Sequence, residues 1–290
     1  MKINCCTQFG PLNSEPVFDA FIKSCSDSGD SIYKNRNDDC DIAVIWSVLW
    51  MGRMQDYKFI WNAYRKKNKP VVVIEVGGIK RNETWKIAIN GVNREADFAN
   101  DNFDDKRWKK FNIDLKPWRS DGQNIILCGQ HHRSHQWRNN KPMQKWFEDQ
   151  IVQIRKYTDR HIIVRPHPRN SFIVDTKKFA NISLQQPIRD RATYDDTDFD
   201  KVLQKAYAVV NHSSNPAMQS VFNGVPVFVS ESSLCYEVGN PNYESLNNPI
   251  KPDRQQWVNK LAYTEWWIDE IREGIPWKRI KKQLEEKYFK

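Results

Sequence analysis

Short apolar runs alternate along the chain with stretches in which apolar residues recur at helical spacing. Three nearly continuous apolar runs in the first part predict buried strands over residues 2–7, 42–46 and 71–76. Helical spacing predicts helices over 17–24 and 55–67. A buried strand, a helix and another buried strand in this order indicate a parallel βαβ unit.

The pattern weakens over residues 79–117, which are rich in Asn, Asp and Lys with isolated aromatic residues. This region is predicted as loop with a short helix. Residues 118–122 resemble a linker between two domains.

A second α/β series follows the linker. Its predicted strands are 124–128, 161–164, 208–211 and 225–230, and its predicted helices are 143–156, 199–207 and 216–223. The tail predicts one helix from Asp253 to Gly274 and a last helix from Pro276 to about Tyr288. We therefore predict an α/β protein with domains over 1–120 and 121–252 and with terminal helices over 253–290 that pack on the first domain.

Composition excludes two classes of protein. The longest apolar run, 42–51, is interrupted by Ser47 and is too short to span a bilayer. The chain has 12 Trp, 10 Tyr and 14 Phe, which is typical of a packed core and not of a disordered chain. No apolar signal-peptide segment follows the N-terminal residues, so we expect the protein in the cytoplasm, the host cytoplasm if it is viral. The six cysteines form no C-x-x-C pair and are predicted to be buried reduced thiols.

The formal net charge of +9 favours a polyanionic partner or a phosphate-bearing ligand. A solvated basic surface explains the charge equally well.

The most informative motif follows the predicted strand 208–211. Ser213, Ser214 and Asn215 precede Pro216 at the start of a helix, where free backbone N–H groups suit a phosphate or diphosphate. Ordinary helix capping is the alternative.

A second motif, Arg165-Pro-His167-Pro-Arg169, comes directly after a strand. Two prolines fix its backbone, so its cationic side chains are predicted to face a phosphate or carboxylate at the strand end. A polar turn is the alternative.

The segment 129–138 contains His131, His132 and His135. A zinc site is weighed there, but no acidic or Cys ligand is near and the neighbours are basic, so a loop that contacts an anion or a base is favoured. The triplet Asp196-Thr197-Asp198 is a D-x-D pattern, which binds a metal ion in some enzymes. It precedes an amphipathic run here, so helix capping is favoured.

The strand with R-P-H-P and the segment "AVVNHSSNPAMQSVFNGVPVFV" together resemble the donor half of GT-B glycosyltransferases, in particular the capsule (Kdo-type) branch. The segment beginning "DIAVIWSVLWMGRM" is similar to glycosyltransferases of T4-like bacteriophages, which add glucose or arabinose to 5-hydroxymethylcytosine in phage DNA. The resemblance implies a GT-B-like fold with two doubly wound Rossmann-like domains facing across a cleft, with C-terminal helices. It further implies that the domain over 1–120 is the acceptor-side domain and that the domain over 121–252 binds the nucleotide-sugar. This sequence departs from the family at Gln219, where many members have a Glu that holds the donor ribose.

The resemblance further implies a UDP-sugar donor, UDP-arabinose or UDP-glucose, with no cofactor and no metal required. Glu75 is the first choice for the general base, ahead of Asp19 and Asp56, and a structural carboxylate paired with Arg53 or Lys80 is the alternative. His167 is the second catalytic candidate. The predicted donor-binding residues are Gln130, Ser134, Arg165, His167, Arg169, Ser213, Ser214, Asn215 and Gln219.

The implied acceptor is double-stranded DNA that contains 5-hydroxymethylcytosine, with the target base extruded from the stack. The predicted DNA-binding residues are Arg53, Lys80, Arg81 and Arg133, and further phosphate contacts are expected from Lys66, Lys67 and 106–110. Trp46, Trp50 or Trp85 is a candidate for stacking on a base, with a core position as the alternative. We expect a monomer without membrane contact. Two other functions stay open: a GT-B enzyme acting on a surface polysaccharide, and a non-enzymatic nucleic-acid-binding protein.

Overall fold

The structure is a computed structural model that describes residues 1–36, 39–170, 174–188 and 198–289. The chain forms two compact units. Unit 1 comprises Met1–Asn112 and Val258–Lys290, and unit 2 comprises Ile113–Trp257. The sequence pattern predicts the corresponding boundaries at residues 120 and 252.

Unit 1 contains a mixed sheet of six strands in the order β11-β5-β4-β3-β1-β2. The strands are β1 (Lys2–Cys5), β2 (Ser31–Lys34), β3 (Ile42–Trp46), β4 (Val71–Val76), β5 (Thr84–Ile89) and β11 (Glu265–Trp267). The helices are α1 (Glu15–Asp27), α2 (Tyr57–Lys66), α3 (Lys106–Phe111), α8 (Ile268–Arg272) and α9 (Ile275–Tyr288), while α7 (Gln255–Leu261) crosses the boundary with unit 2. Strands β1 to β4 pair in parallel, and the parallel pairing of β3 with β4 confirms the predicted βαβ unit.

Strands β1, β3 and β4 are largely buried on both faces, which explains their apolar sequences, whereas the edge strand β2 is partly exposed. Every residue of β3 is buried. Helix α1 packs Phe18 and Phe21 into the same core, where Phe21 meets Trp277 of α9 with ring centroids 5.3 Å apart. Trp46 is 2% exposed within this core, so its predicted stacking on a base is wrong and its core position is correct.

Three strands of unit 1 differ from the sequence prediction. Strand β2 lies where no strand was predicted, and it pairs in parallel with β1. Strand β5 lies in the region predicted as loop and short helix, and it pairs antiparallel with β4. Strand β11 lies inside the predicted helix 253–274 and pairs antiparallel with β5. Strand β11 is short and its partner β5 lies far away in the chain, so tertiary pairing overrides the local helical spacing there.

Unit 2 contains a parallel sheet of five strands in the order β10-β9-β6-β7-β8. The strands are β6 (Asn124–Cys128), β7 (Ile162–Arg165), β8 (Ile182–Leu184), β9 (Ala206–Asn211) and β10 (Val227–Val229). The helices are α4 (Met143–Arg155), α5 (Phe199–Leu203) and α6 (Pro216–Phe222). Helix α4 buries Phe147, Ile151 and Ile154 against the sheet.

The order of strands in unit 2 reverses at one place. From β6 the chain proceeds outward through β7 to β8, and it then returns to the other side of β6 to form β9 and β10. In sheets of this kind a ligand binds beyond the carboxyl ends of the strands where the order reverses. The gap between the ends of β6 and β9 is therefore the expected ligand position in unit 2.

The segment 118–122 was predicted as a linker, but in the structure it is packed. Trp118 donates its indole N–H to the carbonyl of Pro252 at 2.8 Å. A Cβ on Gly122 would lie 2.1 Å from the carbonyl oxygen of Ala206. These contacts make the segment part of unit 2, so the linker prediction is wrong.

All six cysteines are free and buried, which confirms the prediction of reduced thiols. Among the described residues, no helix is long and apolar enough to cross a membrane.

Candidate functional site

The carboxyl ends of three adjacent strands in unit 2 bring the predicted donor-binding motifs together. Strand β6 lies between β9 and β7, with Leu127 opposite Val210 and Cys128 opposite Arg165. Gln130 lies just beyond the end of β6. The segments 165–169 and 212–216 lie at the ends of β7 and β9.

A chain of hydrogen bonds connects the ends of β6 and β9 at the reversal point. Ser213 donates its hydroxyl to Oε1 of Gln130 at 3.0 Å. The Ser213 oxygen lies 3.0 Å from Nδ1 of His212, and Nε2 of His212 lies 3.4 Å from Nδ2 of Asn140. Because the Ser213 proton is used toward Gln130, Nδ1 of His212 is the donor and its Nε2 accepts from Asn140. Gln130 and Ser213 are 5% and 6% exposed, so this chain fixes them in place.

The hydrogen-bond chain continues from Gln130 into the loop after β6. Gln130 donates from Nε2 to Oε1 of Gln136 at 3.5 Å, and the Ser134 hydroxyl donates to the same oxygen. The loop thus links both of its predicted donor-binding residues, Gln130 and Ser134, through one amide.

Ser214 and Asn211 hold the loop after β9. Asn211 donates from Nδ2 to the carbonyl and the hydroxyl of Ser214, at 2.8 and 2.9 Å. Ser214 in turn lies 3.4 Å from the carbonyl of Gly129. The loops after β6 and β9 are therefore joined at two points.

Helix α6 begins as the sequence predicted, with Pro216 in its first turn and Asn215 at its N-cap position. Within the described chain, Asn215 makes no side-chain capping hydrogen bond, so the alternative of ordinary capping by that side chain is wrong. Gln219 lies half-buried on the same helix. Binding of the donor by Asn215 and Gln219 stays a prediction.

The position of Arg165 differs from the expected presentation at the strand end. It is 2% exposed, and its guanidinium forms a buried ion pair with Asp198, with N–O distances of 2.8 and 3.3 Å. Asp198 stands at the N-cap position of α5 but makes no side-chain capping hydrogen bond to the described residues of that helix. The capping hypothesis for Asp198 is therefore wrong, and Asp196 and Thr197 lie outside the described residues. Contact between Arg165 and a diphosphate stays a prediction.

His167 and Arg169 lie at the exposed edge of the same strand end. The backbone N–H of Arg169 donates to Nδ1 of His167 at 3.1 Å, which leaves the proton of the neutral ring on Nε2. The ring of His167 meets that of His131 edge-on, with centroids 5.3 Å apart.

Burial keeps two histidines of this site neutral. Desolvation lowers the pKa of His212 to about 4. Desolvation also lowers the pKa of His131 to about 4, assisted by the positive charges of His132, Arg169 and Arg133. At neutral pH both imidazoles are therefore fixed dipoles and not cations.

The loop after β6, which contains His131 and His132, is where the sequence analysis considered a zinc site. The rings of His131 and His132 stack with centroids 5.2 Å apart. Across the described ranges, no group of three or more His, Cys, Asp or Glu side chains is arranged to hold a metal ion.

In unit 1, Glu75 stands at the carboxyl end of β4 beside the end of β3. Ser47, which has the rare left-handed φ of 61°, donates its hydroxyl to Oε2 of Glu75. The N–H of Val76 donates to Oε1 at 2.8 Å. The alternative, in which Glu75 pairs with Arg53 or Lys80, is wrong. Lys80 lies 3.7 Å from Glu83 instead, and Arg53 is exposed on the turn after β3. A carboxylate held in a fixed orientation and half-exposed suits a general base.

The other acidic candidates are less well held. Asp19 is exposed and lies 3.8 Å from Lys34. Asp56 precedes α2 and is half-buried.

The predicted DNA-binding residues lie on loops after strands. Arg53 follows β3, Lys80 and Arg81 follow β4, and Arg133 follows β6. Arg53, Arg81 and Arg133 are exposed. Within the basic stretch 106–110, however, Arg107 is buried and paired with Glu270 at 2.8 Å, so it is not available to phosphates. Trp50 and Trp85 are half-buried against the core.

Sequence reasoning missed His212 and Gln136 as members of the site. His212 stands inside the quoted motif, and its position directly after a buried strand was the available signal. No local signal marked Gln136, because its role depends on Gln130 and Ser134 converging on it.

Comparison with known proteins supports the architecture. No protein-family model and no curated protein sequence matches this chain. Among solved structures, it is similar to the β-Kdo 2,4-transferase of KpsC from Thermosulfurimonas dismutans, with 9% identity, 95% of this chain and 98% of that chain covered, and a TM-score of 0.56. It is also similar to the β-Kdo 2,7-transferase of KpsC from the same organism, with 12% identity, 98% and 100% coverage, and a TM-score of 0.50. The chain therefore has the GT-B fold of these transferases, with a Rossmann-like domain in each of its two units.

Proposed function

We propose that this protein is a glycosyltransferase that binds a nucleotide-sugar at the strand ends of unit 2. The main support for this proposal is the hydrogen-bond chain through His212, Ser213 and Gln130, which lies where the strand order reverses. Ligands of doubly wound sheets bind at such points. Buried and oriented polar groups suit a diphosphate, since they need no reorganisation as negative charge develops on it.

In the proposed reaction, the bond between the anomeric carbon of the sugar and the diphosphate oxygen breaks. A bond forms between that carbon and an acceptor hydroxyl oxygen, and the hydroxyl proton passes to Glu75. Fixed N–H dipoles at Gln130 and His167 stabilise the departing diphosphate, and Ser213 holds Gln130 in place. The residues fit such a role without a cofactor.

The proposed donor is UDP-glucose or UDP-arabinose, and the proposed acceptor is 5-hydroxymethylcytosine in duplex DNA. The net charge of +9 supports a polyanionic acceptor. Exposed Arg53 and Arg81 follow the carboxyl ends of β3 and β4, the same edge of the unit 1 sheet at which Glu75 stands. Basic side chains there would contact DNA phosphates and make binding dependent on salt.

Nucleotide binding is tested first, by thermal denaturation with UDP. We expect millimolar UDP to raise the melting temperature, because a ligand that binds only the folded state stabilises it. Gln130→Ala should reduce this shift, and Gln144→Ala on the exposed side of α4 should leave it unchanged. Absence of any shift in the wild-type protein would contradict every enzymatic function considered for it.

The acceptor is tested by mass spectrometry of nucleosides after hydroxymethylcytosine DNA is incubated with the protein and a panel of UDP-sugars. A hexosyl or pentosyl adduct on the modified nucleoside is expected. An adduct only on an acidic polysaccharide included in parallel would replace DNA as acceptor. UDP binding with transfer to neither would leave the DNA hypothesis rejected.

The role of Glu75 is tested with Glu75→Gln. We expect loss of transfer by at least about 100-fold, since general bases contribute about 10²–10⁴-fold. UDP binding should persist. Glu83→Gln, on the turn after β4, is the matched control and should retain activity. Full transfer by Glu75→Gln would move the general base elsewhere.

A further inference from the structure

His131 follows β6 and has no place in the hydrogen-bond chain that the described residues form between β6 and β9. The backbone N–H of Arg133 donates to its Nδ1 at 3.1 Å. A nitrogen that accepts a hydrogen bond carries no proton, so the single proton of the neutral ring is on Nε2. The backbone of the loop therefore fixes which nitrogen of His131 is the donor.

No described group accepts the proton of that donor. Nε2 of His131 is buried without a hydrogen-bond partner in the part of the chain that the structure describes, and the residue is 3% exposed. Leaving a buried donor unpaired is unfavourable, because it has lost its hydrogen bond to water without a replacement. Buried polar groups left unpaired in this way are uncommon and often mark the position of a missing ligand. One face of the ring is covered by the exposed side chain of His132, whose Nδ1 lies 2.8 Å from Oδ1 of Asn170.

The charges around the ring indicate what kind of atom would satisfy Nε2. A fixed N–H requires an acceptor. The guanidiniums of Arg133 and Arg169 lie close enough to depress the pKa of His131, and both side chains are exposed. A positive field around a neutral donor favours an anionic oxygen over a neutral carbonyl. A metal ion is a poorer match, since it would need the lone pair that Nε2 lacks.

The end of the neighbouring strand β7 has the same arrangement of a histidine and a backbone N–H. His167 also accepts, through Nδ1, the N–H of the arginine two residues later. The two rings meet edge-on, 5.3 Å apart between centroids. Two adjacent strands thus each present a histidine whose tautomer is set by its own loop.

We propose that Nε2–H of His131 binds a non-bridging phosphate oxygen of the nucleotide. This inference rests on the proposed function, because it takes the ligand of the unit 2 strand ends to be a nucleoside diphosphate. His131 acts beside His167 as a neutral donor pair, and Arg133 and Arg169 supply the charge.

The test compares UDP and uridine binding to three variants by titration calorimetry. His131→Leu removes the donor at similar volume, and His131→Gln retains an N–H at the position of Nε2. His161→Gln is the matched control at the amino end of β7, where both ring nitrogens already have partners, Asn181 and Ser183. We expect His131→Leu to weaken UDP binding by about tenfold or more. His131→Gln should recover most of that loss, and His161→Gln should bind as the wild type does.

Uridine separates phosphate contact from base contact. Its binding should be equal in the wild type and in His131→Leu. An equal loss for uridine and UDP would overturn the assignment to phosphate. Unchanged UDP binding by His131→Leu would overturn the inference alone, whereas a wild-type protein that binds no UDP would overturn the proposed function with it.

A second measurement on the wild-type protein covers the case in which His131→Leu does not fold. ¹⁵N NMR of the histidine rings should find the Nε2–H tautomer at His131, and UDP should shift its Nε2 resonance. The Nδ1–H tautomer, or an unmoved Nε2 resonance under saturating UDP, would reject the proposal.

Discussion

At the scale of single residues, the ionisation of the buried histidines links the candidate site to stability. The pKa of His212 is about 4 in the folded protein, because burial disfavours the charged ring, against an ordinary value of 6.5. His131 has a similarly lowered pKa. Since both rings are neutral at physiological pH and the N–H of His212 is used toward Ser213, the positive charge near the site comes from arginines.

These lowered values predict a pH dependence of stability. The unfolded chain takes up a proton at His212 as the pH falls through 6.5, but the folded protein does so only near pH 4. The free energy of unfolding should therefore fall as the pH falls from 6.5 to 4, by on the order of 2 kcal/mol from this residue. His212→Gln should show a shallower fall in urea denaturation measured across this window. A variant curve parallel to that of the wild type would contradict the lowered pKa.

At the scale of elements, buried ion pairs and glycine turns hold short helices in place. Arg107 of α3 stacks on Trp266, with its guanidinium carbon 3.8 Å from the ring centroid, and pairs with Glu270 of α8. Glu270 also accepts the N–H of Trp267 at the start of α8. One carboxylate thus connects two helices and caps one of them.

Removal of Glu270 should be costly. Glu270→Ala leaves the Arg107 guanidinium buried without its carboxylate, and we expect a loss of about 3 kcal/mol in the free energy of unfolding. Asp269→Ala is the neighbouring control, since its ion pair with Arg272 is exposed and should contribute less than about 1 kcal/mol. Urea denaturation measures both. Equal losses in the two variants would refute the role assigned to the buried pair.

The same carboxylate predicts an acid-sensitive contribution to stability. Burial alone would raise the pKa of Glu270, but hydrogen bonds and charge from Arg107 outweigh it, and the pKa is lowered. A lowered folded pKa gives stability that is present above the unfolded value and lost as the pH falls through the folded value. In Glu270→Gln, the decrease in unfolding free energy on acidification below about pH 4.5 should be smaller than in the wild type. An equal decrease would show that Arg107 does not lower this pKa.

The turn from α6 to β10 depends on Gly224. Its φ is +72°, and a Cβ would lie 2.0 Å from the carbonyl oxygen of Pro117. Gly224→Ala should therefore cost about 3 kcal/mol, from left-handed strain plus the clash. Gly29 has a similar φ of +78° with no described atom within 4 Å of such a Cβ, so Gly29→Ala isolates the strain and should cost about 1 kcal/mol. Equal losses of stability in Gly224→Ala and Gly29→Ala would show that the clash with Pro117 adds nothing to the cost.

At the scale of the whole molecule, the two units have separate hydrophobic cores. Phe21 lies in the core of unit 1 and Phe147 in that of unit 2, and both are fully buried. The proposed nucleotide site belongs to unit 2 alone. Stability and ligand binding should therefore be separable between the units.

Differential scanning calorimetry should record two transitions, and UDP should raise only one of them. Phe147→Ala should lower the UDP-sensitive transition and Phe21→Ala the other, since loss of a buried Phe costs about 3–5 kcal/mol. A single transition that responds to both variants would show that the units unfold together. A UDP-sensitive transition lowered by Phe21→Ala alone would place the nucleotide in unit 1.

The sequence by itself determined the alternation of strands and helices and the segments that follow the strand ends. Strands buried on both faces are continuous apolar runs, and parallel strands joined by helices align their carboxyl ends at one edge. The pattern of apolar runs alone therefore assigns Gln130, His167 and Ser213 to one edge of the second sheet.

Only the tertiary structure decided which side chains contact each other. Ser213 reaches Gln130 across 83 positions, Arg165 turns inward to Asp198, and Ser47 takes the place of a basic partner for Glu75. Strand β11 forms inside a predicted helix because it pairs with β5. Local spacing could not reveal this pairing, since β5 lies far away in the chain. Local spacing fixes the face on which a residue lies. Its hydrogen-bond partner, its burial and the ionisation of His131 and His212 depend on atoms brought near by the fold.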